Sequence, residues 1–248
     1  MNKTLLAIVS LPLLLLSCAE SYTVQGTSSV TALDGSTMYL RTLKDNEMKT
    51  LDSCDVVHGQ FALNGVLDTV RWASLYVGEE SVMPIVIEKG QIMVTIDAAS
   101  LTAGGTPLND KLYEFIKEHS RLESRMNELA RRQSQMMLEG IDEDIINEEL
   151  LSEAKTITDE EDKLVTSFIV ENFDNVLGPS VFMMLTSGYV YPVLTPQIED
   201  IMSKATEKFK NDPYVKEYYS IATENEARMQ GIDVSGGADD DMDINVSE

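Results

Sequence analysis

Cysteine is almost absent from this chain: Cys18 and Cys54 are the only two. No Cys-x-x-Cys occurs, which excludes thioredoxin-type dithiol exchange within the chain. Basic residues are scarce as well, 19 Lys and Arg against 42 Asp and Glu, for a formal net charge of −23. That shortage excludes nucleic acid as a partner, because phosphates need a basic footprint. It also removes electrostatic docking on anionic lipid. Histidine occurs twice, at His58 and His119, and tryptophan once, at Trp72. The one long apolar-rich run, Leu5 to Leu16 with Pro12 inside it, is shorter than the roughly 20 residues of a spanning helix. Catalytic signatures are missing too. There is no Gly-x-Ser-x-Gly, no His-Glu-x-x-His, no phosphate loop and no Ser-x-x-Lys at a helix start. The chain is expected to be no enzyme and to use no cofactor and no metal. Asp239-x-Asp241-x-Asp243-x-Asn245 has the start of a calcium loop but lacks its sixth-position Gly and twelfth-position Glu.

What the N-terminus does have is an address. Lys3 gives a positive start, Leu5 to Leu16 an apolar core, and Leu15-Leu16-Ser17-Cys18 a lipobox. Residues 1–17 are expected to be a lipoprotein signal peptide. Cleavage before Cys18 then leaves a thiol and an amine that both carry acyl chains, and two or more chains anchor stably. The competing reading is plain secretion with cleavage after Ala19. Ala19, not Asp, follows the cysteine, and Glu20 stands alone. The expected place is the cell envelope of a Gram-negative bacterium, at the outer membrane and facing the periplasm. Cys54 is expected to be a small apolar filler, because Asp52 and Asp55 beside it oppose a thiolate.

The fold class expected is α+β. Residues 18–102 read as an antiparallel, β-sandwich-like domain. Strands are expected at Tyr22–Gly26, Thr37–Thr42 and Trp72–Val77. Phe61 and Leu63 alternate on one face, as do Ile92, Val94 and Ile96. Two hairpins with matching corners are expected at His58-Gly59 and Lys89-Gly90, where glycine suits a left-handed position. Residues 106–231 read as all helix, opened by Thr106 and Pro107. Residues 232–248, rich in Asp, read as a disordered acidic tail.

The helical half carries a heptad seam. Leu108, Leu112, Phe115, His119, Leu122, Met126, Leu129, Gln133 and Met136 follow at alternating steps of four and three. Gly140-Ile141-Asp142 reads as a stop, a turn and a cap. A second helix repeats the spacing at Asn147, Leu150, Ala154, Ile157, Glu161, Leu164 and Phe168. Folding at Gly140 gives a long antiparallel hairpin. It places His119 opposite Glu161 and Gln133 opposite Asn147, as polar contacts that set the register. It also lays Arg121, Arg125, Arg131 and Arg132 beside Glu148, Glu149, Glu153 and Asp159. Two further helices are expected after Thr195-Pro196 and Asp212-Pro213.

Several of these pieces together resemble a known family. They are Tyr22–Gly26, Asp34-Gly35 with Tyr39-Leu40, Asp52-Ser53 leading to Gly59-x-Phe61, and Ile87-Glu88-Lys89-Gly90. Gly105-Thr106-Pro107-x-Asn109-Asp110 and Phe168-Ile169-x-x-Asn172 complete the set. The layout is similar to domain-of-unknown-function family 4369. In Bacteroidetes that domain follows a lipoprotein signal and usually precedes a thioredoxin-like domain of the TlpA or alkyl-hydroperoxide-reductase type. The resemblance implies a non-catalytic β module ahead of a helical connector. An acidic tail stands where the thioredoxin-like domain is expected, so no catalytic residue carries over. Asp52-Ser53-Cys54 and Asp68-Thr69-Val70 look like Bacteroidetes O-glycosylation sites, at Ser53 and Thr69.

The function expected is a non-enzymatic, lipid-anchored envelope protein. It would be a protein-interaction or accessory module related to envelope thiol–disulfide oxidoreductases, with an envelope protein as partner and the membrane held through Cys18. The alternative is a lipoprotein that binds a glycan or small ligand on a stacking platform of Trp72, Tyr76 or Tyr39.

Overall fold

The structure, a computed structural model, describes residues 20–44 and 47–231. Cys18, the signal segment 1–17 and the acidic tail 232–248 lie outside the described residues.

Eight strands form two four-stranded sheets: β1 (Ser21–Ser28), β2 (Thr37–Lys44), β3 (Glu47–Asp55), β4 (Gln60–Val66), β5 (Arg71–Val77), β6 (Glu80–Ile87), β7 (Gly90–Ile96) and β8 (Leu101–Gly104). One sheet runs β4-β1-β7-β8, the other β3-β2-β5-β6. Within the first, β1 pairs antiparallel with β4 but parallel with β7. Alternation decides which side chains meet between the sheets. Val24, Met38, Leu40, Leu63, Leu75, Ile85 and Ile92 are fully buried there.

The first corner closes as the expected tight turn, Val57 and Gln60 exchanging both backbone hydrogen bonds at 2.9 and 3.0 Å, but the strands beyond both corners part. β3 and β4 lie in different sheets, and so do β6 and β7. The His58-Gly59 and Lys89-Gly90 corners therefore carry the chain across the sandwich. A left-handed residue at the corner, the His58-Gly59 pair in the first and Gly90 in the second, suits either setting, and only long-range pairing decides. At the first corner His58 has φ 51° and Gly59 φ 69°. A Cβ at Gly59 would meet the Ser28 carbonyl oxygen at 2.3 Å. That close approach is what the corner needs, because the Ser28 N–H donates to the Gly59 carbonyl at 2.6 Å. The hairpins that do occur are β2–β3, β5–β6 and β7–β8.

Among the described residues six helices follow: α1 (Pro107–Leu138), α2 (Glu143–Glu171), α3 (Leu177–Thr186), α4 (Pro196–Lys204), α5 (Glu207–Lys210) and α6 (Pro213–Met229). α1 and α2 form the antiparallel hairpin. At its turn the Gly140 N–H donates to Met137 and the Ile141 N–H to Met136, with Gly140 at φ 75°. That is a Schellman stop, which glycine permits at no steric cost. Asp142 then caps α2, accepting from the Asp144 N–H at 2.9 Å. Thr195 and Asp212 cap α4 and α6 as their sequences predict.

The seam register differs at one end. Ile146, not Asn147, is buried between the helices, while Asn147 is exposed. Ile146 lies four residues before Leu150, and an apolar side chain takes the seam position one residue earlier. No hydrogen bond joins Gln133 to Asn147, so that expected pair is not made. The arginines divide. Arg132 reaches across to Glu149 and Glu153, and Arg125 reaches across to Glu160. Arg121 and Arg131 instead pair within α1, with Glu118 and Glu128.

Sandwich and helices are joined by a buried latch. Asn109, fully buried, accepts from the Val86 N–H at 2.9 Å and donates to the Val86 carbonyl at 2.7 Å. Its amide thus continues the ladder on the free edge of β6. The Glu88 carboxylate accepts from the N–H groups of Leu108 and Asn109 at 2.8 and 3.1 Å. It serves the orphan donors of the first turn of α1. Tyr113 adds a hydrogen bond to the Pro84 carbonyl at 2.8 Å. Trp72 and Val86 complete the joint by packing against the helical core around Phe182 and Phe209.

Candidate functional site: a groove at the foot of the hairpin

The hairpin leaves the sandwich at a concave surface. β6, α1, α2, α3 and α4 all border it, and it encloses about 520 Å³. Pro84, Phe115, Ile116, Val165, Val181 and Leu185 form its apolar walls. Helical spacing puts Phe115 and Ile116 one turn before His119, and Val165 one turn after Glu161. Phe115 is fixed by stacking on Phe168, ring centres 4.3 Å apart. Gln197 ties α4 to α2, donating at 3.2 Å to both the Asp162 carbonyl and the Thr166 hydroxyl.

Polar groups collect at the mouth. His119 Nε2 lies 3.1 Å from Glu161 Oε1, and its Nδ1 lies 3.7 Å from Glu123 Oε2. His119 and Glu161 are therefore brought together from two helices, as polar members of the seam. Asp162 is a third carboxylate on the lining. Partial burial pushes its carboxyl above the usual carboxylate range, with Asp159 adding to the rise. No lysine or arginine lines the groove. Carboxylates thus lie near both imidazole nitrogens, the closer being Glu161. Ser120 also lines the groove, but it makes no hydrogen bond to His119. Among the described residues, no three His, Cys, Asp or Glu side chains converge closely enough to hold a metal ion.

The other residues singled out by sequence lie elsewhere. Trp72 is half-buried against the helical core rather than open to a ligand. Tyr39 and Tyr76 are cross-strand neighbours, and the Arg41 guanidinium lies 4.8 and 5.1 Å from their ring centres. Arg41 also pairs with Glu79 at 3.1 Å. The expected aromatic platform is thus already taken by the chain's own cation. Ser53 and Thr69 are exposed, on edge strand β3 and in the β4–β5 connection. Cys54 is half-buried against the sandwich core. Burial, with Asp52 and Asp55 behind it, pushes its thiol up in pKa, against a lowering contact from the Ala62 backbone.

The hairpin ends in a second feature that residue typing missed. Met137, Leu138, Ile145 and Leu151 are 50%, 90%, 56% and 70% exposed around the turn. The heptad count marks none of them as seam residues, and that was the available signal. Among the described residues no helix is long and apolar enough to cross a membrane.

No curated protein and no solved structure matches this chain. Residues 22–112 match the family described as Domain of unknown function (DUF4369), so the sandwich together with the latched first turns of α1 is similar to that family's domain.

Proposed function

We propose that this is a non-enzymatic, lipid-anchored cell-envelope protein that works by binding another protein. Cys18 carries the anchor, at the outer membrane on the periplasmic side. It lies three residues before Ser21, where β1 begins, a reach of at most about 11 Å. The sandwich would sit against the membrane and the hairpin would serve the partner. One observation carries this reading. The hairpin extends about 48 Å at 1.5 Å per residue over the 32 residues of α1, and its apolar tip is left uncovered. Exposed apolar side chains near the end of a projecting hairpin, such as Met137, Leu138 and Ile145, are candidates for contact with a partner. Within this reading the partner is a thioredoxin-like envelope protein, the kind of domain with which the family resemblance associates this β module.

Photo-crosslinking in living cells tests it, with the reactive residue placed at Leu138 or Leu151 and a control at Gln25 on the sandwich. The expected result is one reproducible adduct from the tip positions and none from Gln25. Tip positions that give no adduct refute the protein-binding role. Retention of a Cys18→Ala variant in the membrane fraction refutes the anchor.

A further inference from the structure

We propose that the groove at the foot of the hairpin is a binding site for a small organic cation with an apolar body, an arylalkyl- or alkylammonium ion. The volume, about 520 Å³, falls within the roughly 300–1,000 Å³ of small-molecule sites. Five elements wall it in, which favours a compact ligand over an extended chain. Phe115, Ile116, Val165 and Val181 offer apolar contact. Glu123, Glu161 and Asp162 offer three carboxylates at the mouth, with no lysine or arginine on the lining to neutralise them.

The charge argument decides the sign of the ligand. His119 is the only base there, held between Glu161 and Glu123. Three carboxylates against a single imidazole leave the mouth with an excess of negative groups. The remaining elements contribute Pro84, Met184, Leu185 and Gln197, which carry no charge. A metal ion does not fit, because the carboxylates do not converge on one point. An ammonium group at the end of an apolar body reaches the mouth while its body fills the groove. His119 and the ligand then compete for Glu161.

The test is methyl NMR on the full-length labelled protein, titrated with phenylpropylamine, phenylpropanol and phenylpropionate. The three probes share one body and differ in charge. The amine is expected to shift the methyls of Ile116, Val165 and Val181 and to bind about tenfold tighter than the alcohol, with the carboxylate weakest. Glu161→Gln combined with Asp162→Asn is expected to weaken the amine about tenfold and leave the alcohol unchanged. Both residues are partly exposed, so the double variant keeps its fold. Ile116→Trp, which fills the groove, is expected to abolish all three. Equal binding of the carboxylate overturns the proposal, as does amine binding insensitive to the double variant. A basic, apolar peptide that binds where the amine does not also overturns it, in favour of a protein segment.

Discussion

Replacing Asn109 should separate the two halves of the molecule energetically. Asn109 is fully buried and makes paired hydrogen bonds to the Val86 N–H and carbonyl at 2.9 and 2.7 Å. Its amide also donates to Thr106 Oγ1 at 2.9 Å and to Glu88 Oε1 at 3.3 Å. Asn109→Ala leaves both Val86 backbone groups without partners on an edge that α1 covers. An unsatisfied buried group costs about 1–3 kcal/mol, so the variant should lose about 3–5 kcal/mol. That is a large part of the roughly 5–15 kcal/mol that holds a domain. Asn109→Asp keeps the acceptor for the Val86 N–H. It replaces the donor with a carboxylate that faces the Val86 carbonyl and Glu88. At neutral pH it should therefore be at least as damaging as alanine, and the gap should narrow as acid protonates the new carboxyl. Urea denaturation followed by two probes measures this. Trp72, the only tryptophan, packs at the joint and reports it by fluorescence, while far-ultraviolet circular dichroism reports the helices. The wild type should give coincident transitions. Asn109→Ala should shift both and move the fluorescence transition first. A loss below about 1 kcal/mol, with the two transitions still superimposed, would refute the latch.

Three further outcomes follow from particular residues. Ile146→Ala should cost about 2–4 kcal/mol as a buried large-to-small change, whereas Asn147→Ala should stay within about 0.5 kcal/mol. Denaturation curves in the reverse order would show that the seam runs through Asn147 after all. The Asp162 carboxyl is raised in the folded state by burial and then by Asp159, so the native protein holds its proton more tightly than the unfolded chain does. Its ionised form therefore costs stability above the folded-state pKa, and the cost vanishes as pH falls below the unfolded value. Asp162→Asn should stabilise at pH 7 by a few tenths of a kcal/mol, since an exposed group is heavily screened. Melting curves should converge in acid, and a variant less stable at neutral pH contradicts the assignment. Cys54, its thiol pushed up by burial, should be alkylated by iodoacetamide more slowly than a free thiol and should speed up in urea. Equal rates in the native and denatured protein would mean the thiol is not covered.

Local signals were legible where they depended on neighbours in sequence. Period-two alternation placed Phe61 and Leu63, and Ile92, Val94 and Ile96, on the buried faces they occupy. The Gly140 stop and the Thr195 and Asp212 caps are contained within a few residues each, and each forms. The heptad period located the hairpin but left its register one residue loose at the far end. Asn147 and Ile146 both satisfy the spacing within the drift of a 3.6-residue helix against a seven-residue repeat. The two glycine corners show a different limit, since the Val57–Gln60 turn closes as expected but the strands beyond each corner enter different sheets. Reversal is a local property, but the sheet that receives the next strand is not. The parallel pairing of β1 with β7 joins residues far apart in sequence, Tyr22 with Gly90 for example, and leaves no trace in the local pattern of either strand.

The latch was illegible for the same reason, and it bears on how the site is held. Composition places a break at Ala103-Gly104-Gly105, where strands give way to helix. Hydrogen bonding crosses that break, because Glu88 serves the first N–H groups of α1 and Asn109 extends the edge of β6. Either carboxylate or amide alone reads as an ordinary surface residue, and only their meeting across 21 positions of sequence makes them structural. Pro84, whose carbonyl accepts from Tyr113, stands on the groove wall two residues before Val86. The sandwich wall of the groove and the root of the hairpin are therefore fixed by one set of buried polar contacts. A sandwich merely tethered to a helical connector could not hold Pro84 against Phe115 and Ile116. The latch makes the groove a property of the joined protein, and neither half forms it alone.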